Sequence, residues 1–235
     1  MFISLIVFLL TFFIGIVLFY TCHFCVDIKT FDSGKPGKNI LLIGGTHGDE
    51  PAGSYALLIL QNLLKKGKLR VKKGKITIIH NVNPCGLYLN NRYYSVIGKN
   101  IDLNRMYGKG FPINNKIEKL IPINDVIIDF HEGWGYMIQR KGSIGSSITY
   151  LNIPFKQKYK LINKLNLTVT DKKKKWVIND IKLEVANSLR ELAMLHKKKY
   201  LLVETTGQQN VQPLHVRIKQ SNIIIMHFLK LYGIL

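Results

Sequence analysis

The chain is short of acidic residues, with 14 Asp and Glu against 34 Lys and Arg and a formal net charge of +20. It is also short of cysteine. Three cysteines exclude a small scaffold stapled by disulfides. From Phe2 to Tyr20, "FISLIVFLLTFFIGIVLFY", charge is absent altogether. No internal repeat stands out. No arginine-rich or aromatic-interleaved module is visible, so nucleic acid is not the expected partner.

The uncharged run sets the first expectation. Roughly 20 apolar residues match the thickness of a bilayer core, and Tyr20 and Phe24 suit its interface. A cleaved signal peptide has a shorter apolar core, preceded by positive charge and followed by small residues. Here no Lys or Arg precedes the run, and "YTCHFCVD" is a poor cleavage site. An uncleaved transmembrane anchor over residues 1–25 is therefore expected, which places the protein on a membrane as a single-pass chain. Lys29, Lys35 and Lys38 follow the span, which favours a cytoplasmic domain. Cys22 and Cys25 read as juxtamembrane thiols open to acylation, with a metal or redox half-site as the other reading. The lysine clusters "KKGKLRVKKGK", "DKKKKW" and "HKKKY" are read as solvated surface rather than as an anion-binding face.

Residues 26–38, with Gly and Pro, read as linker. From residue 39 to 235 a single α/β domain is expected. "NILLIGG", "KITIIHNVNP", "NDVIIDFHEG" and "KYLLVETTG" are short apolar runs that read as buried strands. Helical spacing lies between them, in "AGSYALLILQNLLKKG" after Pro51, in "IKLEVANSLRELAMLHKK", and in the closing "QPLHVRIKQSNIIIMHFLKLYG". Alternating strands and helices imply an α/β sheet covered on both faces.

Polar residues gather where these strands end, which is where open α/β sheets build their sites. His47 and Glu50, in "GGTHGDEPAG", stand at a strand-to-helix turn with spacing that lets both reach one ion. His131, in "DFHEG", supplies a third ligand. Two histidines and a glutamate, with a fourth position left open, form a catalytic zinc set. Glu204, in "LLVETTG", suits a general base. Arg105 and Asn104, in "DLNR", suit a clamp on a carboxylate. Arg92, in "NNRYY", suits stabilisation of an oxyanion. Asp49 reads as a bystander. Glu132 and "GSIGSS" (142–147) read either as pocket lining or as an ordinary loop.

In their order, "GGTHGDEPAG", "NPCGLYLNNR", "NIDLNR", "DFHEG" and "LLVETTG" resemble the zinc carboxypeptidase superfamily. The chain is most similar to its succinylglutamate desuccinylase/aspartoacylase branch, over about residues 39–207. The resemblance implies a three-layer α/β/α sandwich with a mixed central sheet of roughly eight strands, here preceded by the transmembrane helix. It implies one Zn²⁺ held by His47, Glu50 and His131, a substrate carboxylate bound by Asn104 and Arg105, water activated by Glu204, and a scissile carbonyl polarised by Arg92. Two departures stand out. No tyrosine matches the mobile tyrosine of the carboxypeptidases, since Tyr200 lies inside the final strand. With 31 residues after Glu204, the C-terminal β domain of the aspartoacylase branch is not expected here.

The expected activity is zinc-dependent hydrolysis of an amide next to a carboxylate, on an N-acyl amino acid or a small peptide. The reading is a deacylase, with a metallocarboxypeptidase as its alternative. An inactive, membrane-anchored binding module is the alternative of another class. A complete set of ligand, clamp and base positions argues against that last reading.

Overall fold

The computed structural model describes the backbone at residues 2–24, 26–96, 98–180 and 185–235, and the side chains at all of these except 2, 17–24 and 155. In chain order the elements are α1 (Phe2–Phe24), β1 (Lys29–Asp32), β2 (Asn39–Gly44), α2 (Pro51–Lys65), β3 (Lys75–Ile79), α3 (Pro84–Leu89), β4 (Tyr94–Val96) and β5 (Lys99–Ile101). There follow α4 (Pro112–Glu118), β6 (Val126–Trp134), β7 (Ser147–Leu151), α5 (Phe155–Asn166), β8 (Val177–Ile178), α6 (Leu189–Leu195), β9 (Lys199–Gln208) and α7 (Leu214–Leu231).

Seven strands form one mixed sheet in the order β1-β3-β2-β6-β9-β7-β8, and β4 with β5 forms a separate hairpin. Strands β3, β2, β6 and β9 run parallel. Strand β1 joins β3, and β7 joins β9, in antiparallel fashion. The central strands are buried on both faces, which is why they read as unbroken apolar runs. On β2 the pleat sends Ile40 and Leu42 to one face and Leu41 and Ile43 to the other. The first face packs against Leu57 of α2, Leu161 of α5 and Phe228 of α7. The second packs against Ile113 and Ile117 of α4 and Leu189 and Ala193 of α6. The result is helix, sheet and helix in three layers.

Several expectations shift. Among the described residues the sheet has seven strands, beside the roughly eight expected. Within the expected linker, Lys29–Asp32 pairs along β3 and Phe31 packs against the core, because alternating "KTFD" meets an open sheet edge. The helix expected over 181–198 is helical only at Leu189–Leu195, where Ser188 caps it through the amide of Glu191. Residues 181–184 of that expectation lie outside the described residues. The expected anchor runs through residues 17–25, whose side chains, with Cys22 and Cys25, also lie outside them. Among the described residues no helix is long and apolar enough to cross a membrane. The side chains of α1 from residue 3 to residue 16 are exposed.

Candidate metal centre

The β2–α2 turn carries the first two candidate ligands. Gly48 lets this turn lie against Gly86 of α3, where a Cβ would strike backbone. Pro51 then starts α2, and Glu50 occupies its N-cap position without capping it. Its carboxylate turns into the site instead. The cap is supplied from the sheet, where Glu132 Oε1 accepts from the Ala52 amide at 2.6 Å.

Strand β6 brings the third candidate. Val126, Ile128 and Phe130 face α2 and α7, so the period of two turns Asp129 and His131 to the opposite face. His47, Glu50 and His131 converge with their ligand atoms all within 4.8 Å of one another, and all three are buried. His47 Nδ1 lies 2.9 Å from Glu50 Oε1, and His131 Nδ1 lies 2.9 Å from Glu50 Oε2. The two Nδ1 atoms are 3.1 Å apart. Donors at zinc distance in a tetrahedron stand about 3.3 Å from one another. The second nitrogen of each ring meets an aspartate. His47 Nε2 is 2.9 Å from Asp102 Oδ1, and His131 Nε2 is 3.3 Å from Asp129 Oδ2. That is how metal-binding imidazoles are oriented. The donor set, its spacing and its outer carboxylates all fit a zinc-type ion.

The electrostatics agree. Burial opposes charge on Glu50, yet the two imidazoles hold its carboxyl well below the usual range. Burial likewise opposes protonation of His131, and Asp129 and Glu50 overcome it, raising that imidazole well above its ordinary value. A buried site that draws a proton this strongly is built for positive charge.

Glu204 lies directly opposite His131 in the β6–β9 register. Burial, with Glu50 and Asp129 adding repulsion against the pull of His131, pushes its carboxyl up to about 8. Arg92 reaches the same cluster, donating from Nη1 to Glu50 Oε1 at 2.7 Å, with Nη2 3.9 Å from Asp102 Oδ2. Asn104 and Arg105 follow Asp102 on a 3₁₀ turn, where the Asn104 amide donates to Asp102 Oδ1 at 2.9 Å. The Arg105 guanidinium is exposed and donates to the Asn104 carbonyl. The structure thus gathers His47, Glu50, His131, Glu204 and Arg92 by direct contact or register, and carries Asn104 and Arg105 beside them on the Asp102 turn.

Sequence reasoning missed four supports. Asp102 stood inside the quoted "DLNR" without a role. Asp129 shares the face of His131 two residues on, and accepts from the Tyr200 hydroxyl at 2.9 Å. Gln208 donates to Glu50 Oε1 at 3.1 Å. Arg217 of α7 forms a buried ion pair with Glu132. Burial raises the Glu132 carboxyl to about 7 against the pull of Arg217. Glu132 is neither pocket lining nor loop, and Gly207 has no side chain because the Glu132 carboxylate occupies that space. The alternation on β6 was a usable signal for Asp129. Nothing local in the sequence pairs Glu132 with Arg217.

Residues 36–137 match the family model of the succinylglutamate desuccinylase/aspartoacylase catalytic domain. Over 105 residues the chain is 32% identical to the N-alpha-acetyl-L-2,4-diaminobutyric acid deacetylase of Halomonas elongata, covering 41% of this chain and 29% of that protein. The fold is similar to the product-bound Cell Shape Determinant protein Csd4 of Helicobacter pylori, with TM-score 0.73, 18% identity, and 90% of this chain on 56% of that one. It is also similar to a succinylglutamate desuccinylase/aspartoacylase of Rhodobacter sphaeroides, with TM-score 0.61, 19% identity, and 89% of this chain on 60% of that one. The matched segment is thus similar to the desuccinylase/aspartoacylase catalytic domain, and the fold is similar to that of zinc carboxypeptidase-like structures. It spans less than a third of the length of that deacetylase and little more than half of those two solved chains. The family match ends at Met137 and so takes in the three candidate ligands but not Glu204.

Proposed function

We propose that the protein is a zinc-dependent hydrolase of an amide bond next to a carboxylate, acting on an N-acyl amino acid. The observation that carries this reading is the convergence of buried His47, Glu50 and His131, with Glu204 opposite His131 on the next strand. When bound, zinc supplies a Lewis acid that polarises a carbonyl and acidifies water. The chain's own residues do the rest. Glu204 takes the proton from the attacking water and returns it to the leaving amine. Arg92, already held against Glu50 and half-open to solvent, offers its free donors to the developing oxyanion. Asn104 and Arg105 hold the substrate carboxylate and so fix which amide faces the base. Asp102 and Asp129 keep each imidazole turned with Nδ1 inward. The apolar N-terminal run tethers this domain to a membrane.

The curated match to a deacetylase supports the deacylase form of this reading. A carboxypeptidase form is supported by the likeness to Csd4, one structure of which is described as a D,L-carboxypeptidase with bound mDAP, at 20% identity and TM-score 0.69. The deciding experiment is a panel of N-acyl amino acids and short peptides with free carboxyl termini, assayed on zinc-loaded protein. Hydrolysis is expected on one class and lost in Glu204→Gln with zinc retained. Hydrolysis that survives Glu204→Gln unchanged sinks the assigned base. Zinc that never binds the wild-type protein sinks the metal centre.

A further inference from the structure

The acid deficit of this chain is not spread evenly. Between Gly133 and Thr170, and again from Thr205 to Leu235, the sequence contains no Asp or Glu. The fold places the two stretches side by side, since they form α5 and α7 on the same face of the sheet. Between these helices runs an open groove of about 590 Å³, bordered by Lys160, Lys164, Leu167, His227, Lys230 and Leu231. Lys164 also borders a second groove, which continues to Lys219 and His215. Among the described residues none of these four lysines makes an ion pair. The crowding is felt locally, because burial and then Lys164 and Lys160 push the His227 imidazole down. Unrelieved like charge on two packed helices costs stability, and a partner of opposite sign removes that cost.

The same surface carries exposed apolar side chains. Leu167 is 88% exposed and Leu231 38% exposed, each at the margin of the lysine groove. Lysine with protruding leucine suits the boundary between phosphate headgroups and acyl chains better than it suits a fully polar polyanion. Nucleic-acid faces use arginine and stacking aromatics, and the groove offers neither.

We propose that the α5–α7 face docks on an anionic lipid surface, with Lys160, Lys164, Lys219 and Lys230 over headgroup phosphates and Leu167 and Leu231 at the acyl boundary. The face lies along a side of the sheet, so docking leaves the metal centre at the strand ends uncovered. The inference does not rest on the hydrolase reading.

The test uses the full chain and co-sedimentation with phosphatidylcholine vesicles, with and without phosphatidylglycerol. Wild-type protein is expected to prefer the anionic vesicles and to lose that preference with salt. Lys160→Gln/Lys164→Gln/Lys230→Gln should lower the partition onto anionic vesicles on the order of 100-fold while leaving neutral vesicles unchanged. Lys66→Gln/Lys68→Gln/Lys72→Gln removes the same charge from another exposed cluster and should lower it less than about threefold. All six side chains are exposed, so both variants are expected to keep the far-ultraviolet spectrum of the wild type. Equal losses in the two variants overturn the proposal in favour of bulk charge alone. Tighter binding to duplex DNA than to anionic vesicles at the same salt also overturns it.

Discussion

His47 and Asp102 are joined by a 2.9 Å contact between Nε2 and Oδ1, made across 55 residues of sequence. The same aspartate oxygen accepts the Asn104 amide, so one carboxylate fixes a candidate ligand and shapes the turn that carries the candidate clamp. His47 and Arg92 hold the Asp102 carboxyl down at about 2, against the opposing effect of burial. It therefore stays ionised throughout the working range.

Asp102→Asn is expected to weaken zinc binding about 10- to 100-fold, because the imidazole loses the partner that selects its tautomer. Competition against a chromophoric chelator measures this. An unchanged dissociation constant would show that Asp102 orients nothing. If the turn also loosens, the KM for the anionic substrate rises along with the loss of zinc.

Glu132 and Arg217 provide a second test on the opposite face of β6. Both are sealed from solvent, and Glu132 also caps α2 immediately after the candidate ligand Glu50. The Glu132 amide donates to Glu50 Oε2 at 3.0 Å. Breaking one side of a buried ion pair costs about 3–5 kcal/mol. Arg217→Met should therefore lower stability by about that amount in urea denaturation. Glu132→Gln in the same chain should recover more than half of the loss, since the capping oxygen remains and no buried charge is left alone. Additive losses in the double variant would show that the two residues are not coupled.

These residues also mark how far the sequence could be read. His47, Glu50 and His131 were legible because their residue types sit at the ends of apolar runs, and those runs are long enough to fix the pleat. The central strands were legible for the same reason. Strand β1 was not, because "KTFD" is half polar and becomes a strand only by meeting the free edge of β3. Strand β8, two residues long, depends in the same way on β7. Glu132 and Arg217 are 85 residues apart, and only the packing of α7 over β6 and β9 brings them together. Local pattern specifies the elements and the ends at which chemistry collects. The partners that hold a ligand in place arise from the tertiary arrangement.

Zinc affinity should rise with pH. The imidazoles of His47 and His131 are both raised above their ordinary value by Glu50 and the aspartates, against burial. A raised value keeps the proton on to higher pH, and that proton must leave before Nδ1 can donate to a metal. The dissociation constant should therefore fall between about pH 6 and about pH 8, with protons released on binding. Titration calorimetry in buffers of different ionisation enthalpy measures both effects. A pH-independent constant with no proton release would exclude the two imidazoles as ligands.

The last prediction concerns Glu204 in the metal-free protein. Its carboxyl is pushed up to about 8 by burial, from an ordinary value of 4.5. Below 4.5 the folded and unfolded chains both carry the proton, and this group puts no slope on stability. Between 4.5 and about 8 the unfolded chain releases the proton while the folded chain keeps it, so the group's contribution to stability declines as pH rises. Above about 8 both forms are ionised and the decline ends. One proton of difference corresponds to a slope of about 1.4 kcal/mol per pH unit at most. Glu204→Gln cannot ionise, so the metal-free variant should lose that part of the slope and surpass the wild type in stability toward pH 8. Urea denaturation across this range, with chelator present, makes the comparison. Parallel pH profiles for the two proteins would mean that Glu204 is already ionised in the fold, and that the site without metal does not hold its proton there.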